Sequence, residues 1–175
     1  LRTLTWKRGI WLAILFFGAL LTAIALDRYE TITQHIAWLV LFIPLVISTG
    51  GNSGNQSATL VITALSRGDI QLGDWWRVVG RELIMGGLLG GTLGLVGFFC
   101  ALSVAPSWLA AAVIPITLVC VVMAGTLLGS LLPLLFSRLG LDPAMMSNPF
   151  VAGIIDVLGI IIYMRVAVAI VGIPA

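Results

Sequence analysis

Charge is what this chain has least of. Only 9% of its 175 residues are charged and 60% are hydrophobic, whereas soluble domains carry about a quarter charged residues and under half apolar ones. With a mean hydropathy of +1.16, that balance excludes an ordinary soluble domain, a disordered chain and a secreted disulfide scaffold. Lysine is almost missing, Lys7 being the sole one, and nine basic against seven acidic residues leave a net charge of +2. Such a balance is too even for nucleic-acid binding through phosphate neutralisation. Cysteine is scarce as well. Cys100 and Cys120 both sit in apolar runs with no Cys or His nearby, which argues against zinc or redox use and predicts buried thiols. Histidine occurs once, as His35 beside Gln34. With no Ser–Lys pair and no second acid expected inside the membrane, the parts of an intramembrane enzyme are missing, and the chain reads as a non-enzyme. No phosphate-binding loop is present either.

What remains is long apolar segments. They are continuous rather than alternating, which disfavours a membrane β-barrel, and the length leaves room for about five or six helical spans. Five segments qualify: 9–26, 36–65, 83–104, 109–136 and 150–172. Lys7-Arg8 followed by an apolar stretch and Ala23-Ile24-Ala25 has the outline of a cleavable signal peptide, but four more apolar segments follow and it reads as the first span. Arg2, Lys7, Arg8, Arg67, Arg77, Arg81 and Arg138 fall on one side and Arg28 and Arg165 on the other, seven against two. The excess predicts a cytoplasmic N-terminus and an external C-terminus, which an odd number of spans allows. Trp6, Trp38, Trp75, Trp76 and Trp108 fall near span ends, as an aromatic belt does. Leu72, Trp75, Trp76 and Val79 are spaced as an amphipathic surface helix, or else as a plain extension of the third span. Gly86, Gly90 and Gly94, and again Gly125 and Gly129, repeat at a spacing of four, which lets helix backbones approach closely in lipid, within or between chains.

Two stretches depart from the apolar rule. After Pro44 the second span reads Ser48-Thr49-Gly50-Gly51-Asn52-Ser53-Gly54-Asn55-Gln56-Ser57. Irregular backbone at membrane depth is tolerated only against protein or a watery cavity, and Pro44 with the glycines can kink the helix. If the helix continues, Asn52, Asn55, Gln56, Thr59 and Thr63 share one face. That uncharged stripe suits either a hydrated path or hydrogen-bonded glue between helices. In the fifth span Asp156 is a carboxylate flanked by apolar residues, with Arg165 about 13 Å away along a helix, too far to pair. A charge there is expensive and marks a functional site by default, the alternative being a protonated structural acid. Stepping by helical turns places Asn148, Ala152, Gly159 and Tyr163 on its face. A carboxylate ringed by small residues leaves room for water, amides one or two turns away can bond that water, and a hard cation such as magnesium keeps its water shell. One carboxylate per chain makes a weak site; a symmetric dimer supplies two.

These residues resemble the MgtE family of magnesium channels. Pro44 with Gly50-Gly51-Asn52-Ser53-Gly54-Asn55-Gln56-Ser57-Ala58-Thr59 matches the family's Pro-then-Gly-Gly-Asn-x-Gly-x-Gln signature. Asp142-Pro143-Ala144, Ser147-Asn148-Pro149 and Asp156 supply the second match, and the five-span count the third. The resemblance implies an all-α membrane protein of five transmembrane helices per chain, a homodimer around one central pore in the plasma (inner) membrane. It implies a largely hydrated magnesium ion held between two copies of Asp156. Asn148 and Ala152 are then pore-lining toward the cytoplasm, with Asn52, Asn55, Gln56 and Thr59 facing the same pore. Asp142 becomes a secondary magnesium site at the cytoplasmic mouth. Full-length relatives are expected to carry a cytosolic regulatory domain and CBS domains ahead of the first span. Neither is present here, so the whole chain reads as one transmembrane domain and magnesium-dependent closure is not carried over. The competing expectation is a sodium- or proton-coupled carrier of divalent cations.

Overall fold

The computed structural model describes residues 2–172, with the side chains of residues 2–4, 7, 8, 11, 145 and 146 left out of the description. The cationic groups of Arg2, Lys7 and Arg8 therefore lie outside the described residues. Every element in that range is helical: α1 (Arg2–Asp27), α2 (Glu30–His35), a 3-10 segment (Ala37–Phe42), α3 (Ile43–Arg67), a 3-10 turn (Leu72–Asp74), α4 (Trp75–Leu102), α5 (Trp108–Ala111), α6 (Val113–Arg138) and α7 (Pro143–Val171). Helices are the expected answer in lipid, where each backbone group must be satisfied inside its own segment. Four stretches are long and apolar enough to cross a membrane: Ala37–Arg67, Leu72–Leu102, Trp108–Arg138 and Ser147–Val171. They correspond to the second to fifth expected spans. The first expected span lies in α1, whose described apolar part is the shorter Leu12–Asp27.

Helix ends follow local chemistry. Pro44 stands in the first turn of α3, where its missing N–H costs nothing; it starts the helix rather than kinking it. Gly68 closes α3 at φ 78°, a left-handed cap that a residue with a side chain seldom adopts. Ser107 caps α5 by accepting from the Ala110 N–H at 3.1 Å. The Trp75-Trp76 stretch proves to be the first turn of α4 itself, after a Gln71–Asp74 capping box. The two indoles stack with centroids 3.9 Å apart on an exposed surface, so the extension reading holds and no separate surface helix forms.

The bundle is organised around α6, which packs against α4, α3 and α7, while α1 packs mainly against α7. Close approach comes from glycine. A Cβ on Gly90 would stand 2.8 Å from the Val119 Cα, and one on Gly94 3.2 Å from the Pro115 Cα. The Gly86-Gly90-Gly94 face is thus an α4–α6 contact within one chain. Gly125 repeats the arrangement against α3, its virtual Cβ lying 2.5 Å from the Gly50 carbonyl oxygen. Gly87 and Gly91, beside the packed row, face open space. Large apolar side chains such as Leu88, Val96 and Phe99 point outward, as they do where the surroundings are lipid. Cys100 and Cys120 are exposed too, contrary to the expectation of buried thiols. In a membrane an apolar neighbourhood marks lipid as well as core, and hydropathy does not separate the two.

Candidate functional site

Helix α3 divides its polar residues between opposite faces. Gly50, Ser53, Gly54, Ser57, Ala58 and Val61 are buried, and at 3.6 residues per turn they form one stripe. Asn52, Asn55, Gln56, Thr59 and Leu60 lie across the helix and line an open cleft of 620 Å³. Both readings of the polar stretch therefore apply, each to its own residues. Glycines and serines bring helices together, while the amides face the cleft. The helix runs unbroken past them, and the threonine hydroxyls satisfy themselves by bonding back along it. Thr59 Oγ1 donates to the Asn55 carbonyl at 2.9 Å and Thr63 Oγ1 to the Thr59 carbonyl at 2.8 Å. Asn52 Nδ2 donates to Ser48 Oγ at 3.3 Å.

Helix α7 lies antiparallel beside this face. Val151 Cγ1 stands 2.5 Å from where a Gly54 Cβ would be, and Ile155 Cγ2 2.7 Å from the corresponding position on Gly50. Asp156 is therefore level with Gly50, and Ala152 with Gly54. Asn148, Ala152 and Asp156 are half-buried and stand beside the α3 contact, outside the residues that line the amide cleft. Asp156 has neither a hydrogen-bond nor an ion-pair partner among the described residues. Two amide oxygens, Asn55 Oδ1 and Asn148 Oδ1, are buried without a partner. Each is an acceptor whose desolvation is uncompensated within one chain.

The row through Asp156 keeps one face of α7 but not one environment. Gly159 is buried near Val121 and Val46, and Tyr163 is fully buried, its hydroxyl donating to the Leu39 carbonyl at 2.9 Å. Tyr163 thus ties α7 to the 3-10 segment rather than extending the polar row. Asp142 stands apart, about 21 Å from Asp156 by helical rise. It is exposed and caps α7, its Oδ1 accepting from the Ala144 N–H at 2.9 Å. No group of three or more His, Cys, Asp or Glu side chains converges among the described residues.

One buried acid was not expected. Glu82, at the edge of its span by sequence, is only 4% exposed, two turns into α4. Ser57 Oγ donates to its Oε2 at 2.6 Å, and Arg81 donates to its Oε1 through Nε at 3.2 Å and Nη2 at 3.0 Å. Its backbone carbonyl accepts from Thr126 Oγ1 at 3.3 Å. Away from helix ends, the described membrane-length helices therefore hold two carboxylates, Glu82 and Asp156, rather than one. The signal was present in the sequence: Glu82 is one step of four behind Gly86 on the glycine row.

Comparison with known proteins agrees with this architecture. A family model described as a divalent cation transporter, MgtE, matches residues 43–166. A protein of Thermus thermophilus named magnesium transporter MgtE is 42% identical over 163 residues, covering 90% of this chain and 35% of the relative. Proteins of the same name from Enterococcus faecalis and Bacillus subtilis are 30% and 26% identical, covering 92% and 94% of this chain and 36% of each relative. The chain thus spans about a third of the length of these curated relatives. All three are named as transporters, and no enzyme is among them. With its stacked membrane-length helices and a family match over most of its length, this multi-pass membrane protein belongs to the MgtE family of divalent cation transporters.

Proposed function

We propose that the chain is the pore domain of a magnesium channel, conducting the hydrated ion down its electrochemical gradient. Two copies pair about a twofold axis in the plasma membrane, with N-termini cytoplasmic. Each contributes Asp156 to one central ion site, and Asn52, Asn55, Gln56, Thr59, Asn148 and Ala152 line the path. Asp142 holds a further ion at the cytoplasmic mouth. In longer members of the family, a cytosolic regulatory domain acts on this pore.

The observation that carries this reading is Asp156 itself, a half-buried carboxylate in the middle of a membrane-length helix with no partner among the described residues. An ionised carboxylate there must be neutralised or hydrated. A shared divalent ion with its water shell supplies both, and hard cations of this kind keep their waters and take oxygen ligands. The exposed Asn52 and Gln56 amides in the cleft hydrogen-bond such water. Selection is then by charge and hydrated size. The driving force is sufficient, since a divalent cation gains about 4.6 kcal/mol per 100 mV of inward-negative potential.

A coupled carrier is the competing mechanism. Carriers of that kind are commonly built around discontinuous helices at the substrate site, whereas α3 is continuous through its amides, which supports a channel. The test is magnesium flux into liposomes holding the purified chain. The expected result is rapid uptake, unaffected by a sodium or proton gradient and largely lost in Asp156→Asn. Unchanged flux in that variant removes Asp156 from the mechanism, and flux that follows an imposed gradient favours the carrier.

A further inference from the structure

Glu82 is a charged group with no part in the pathway just described. It sits where α3, α4 and α6 meet, reached by Ser57 from α3, by the neighbouring Arg81, and by Thr126 from α6 through its carbonyl. Arg81 is half exposed and reaches outward, so the pair stays neutral while its carboxylate is buried. Retaining a carboxylate in that setting is costly, and its geometry indicates what it does. The rest of the α3–α6 contact runs through Gly50, Gly54, Gly125 and Gly129. Val121 seats on Gly50, and Ile155 and Val151 of α7 on Gly50 and Gly54, but these apolar contacts lack the directionality of a hydrogen bond. The Ser57–Glu82 bond at 2.6 Å is short and charge-assisted, the strong class of hydrogen bond. Among the described residues it is the side-chain-to-side-chain bond that joins α3 to another helix. Ser57 immediately follows Gln56 and is two residues before Thr59, so holding Ser57 fixes the direction in which the amides point.

We propose that Glu82 is a positioning residue that sets the rotation of α3, acting through Ser57 to aim Asn55 and Gln56 at the cation path. The role rests on the pore reading for its consequence but not for its test. Asn55 and Leu60 stand on opposite flanks of the amide face, separated by about 140° at 100° per residue. Turning α3 exposes one flank and withdraws the other, whereas general loosening exposes both.

The experiment places a single cysteine at Asn55 or at Leu60, in a chain whose Cys100 and Cys120 are replaced by serine. The rate of reaction with a water-soluble maleimide is then compared with and without Ser57→Ala. The same comparison is made with Glu82→Gln, which keeps the shape and can still accept from Ser57. Expected is a change in the ratio of the two rates of about tenfold under Ser57→Ala, the scale of one lost charge-assisted hydrogen bond, with the two flanks moving in opposite directions. Glu82→Gln is expected to restrain the ratio closer to the parent value. Rates that rise together, or that do not change while the protein stays folded by its thermal unfolding profile, overturn the proposal. If Ser57→Ala does not fold, Ser57→Thr, which keeps the hydroxyl, and Ser57→Val, which has the same shape without it, carry the same comparison: an unchanged ratio between them refutes the role. No magnesium is needed in any arm, so failure here is distinct from failure of the pore reading.

Discussion

Gly129 lies so close beneath the Gly54 carbonyl oxygen that a β-carbon on it would overlap that atom, and it would stand 2.9 Å from the Gly54 Cα. The opposed atoms are backbone, so neither can swing aside. Gly129→Ala is therefore expected to force α3 away from α6 and to destabilise the chain by about 1–3 kcal/mol, the usual scale for overpacking a tight contact. Gly87→Ala is the control. It faces open space, and alanine's better helix propensity predicts a gain of about 0.5–1 kcal/mol. Thermal unfolding of the two purified variants in one detergent checks the contrast, and equal midpoints refute it.

Packing of this kind was legible in the sequence because spacing four is a geometric statement about a helix, and a row of glycines has no other common use in lipid. The amide face of α3 was legible for the same reason, whereas the glycine–serine face behind it was not, because glycines after a proline read equally as a kink. Inside and outside were not. Cys100 and Cys120 are exposed in runs as apolar as the core, because lipid and core have the same polarity. Glu82 was hidden by its neighbours, since an acid beside Arg81 reads as a solvated pair at a membrane edge. Tyr163 failed for a different reason: it stands only about 20° off Asp156 around α7, but at its level the 3-10 segment covers the helix and accepts its hydroxyl. The number of membrane crossings is legible only where the apolar stretch is long, and the described apolar part of α1 is shorter than the others.

The amides of α3 are expected to act on the ion through its water. Gln56→Leu keeps the volume and removes both hydrogen-bonding functions while leaving the buried face of the helix untouched, and Gln56 is exposed in the cleft. Magnesium flux is expected to fall about tenfold, the equivalent of one ordinary hydrogen bond lost to the passing ion's shell, with the unfolding midpoint unchanged. Asn55→Leu is expected to cost less in flux than Gln56→Leu, because Asn55 Oδ1 is buried and so out of reach of that shell. A fall in stability in step with flux would assign these residues to packing instead.

Asp142 carries a structural role that can be separated from any metal. Its Oδ1 caps α7, and replacing an N-cap with alanine costs about 1 kcal/mol. Asparagine caps as well as aspartate but carries no charge. In the absence of magnesium, Asp142→Asn is expected to unfold with the parent midpoint and Asp142→Ala below it. If the carboxylate also holds an ion at the cytoplasmic mouth, both variants lose the part of magnesium's stabilising effect that this site provides. Equal stability of the two variants without metal would show that the cap contributes nothing.

Asp156 is the sharpest case, because nothing among the described residues satisfies its carboxylate. A ligand that binds only the folded state raises stability with the logarithm of its concentration, by about 2.7 kcal/mol at one hundred times its dissociation constant. The parent is therefore expected to gain thermal stability steadily as magnesium rises into the millimolar range. Asp156→Asn has two opposing effects. Removing the charge relieves the cost of an unpaired carboxylate, so without magnesium the variant is expected to match or exceed the parent. With magnesium it is expected to gain little if Asp156 holds the ion, because a neutral amide is a poor substitute for a charged ligand. The two stability curves should cross as magnesium is added, and potassium at equal ionic strength should leave them parallel. Curves that rise together in magnesium would place the ion elsewhere and leave Asp156 as a protonated structural group.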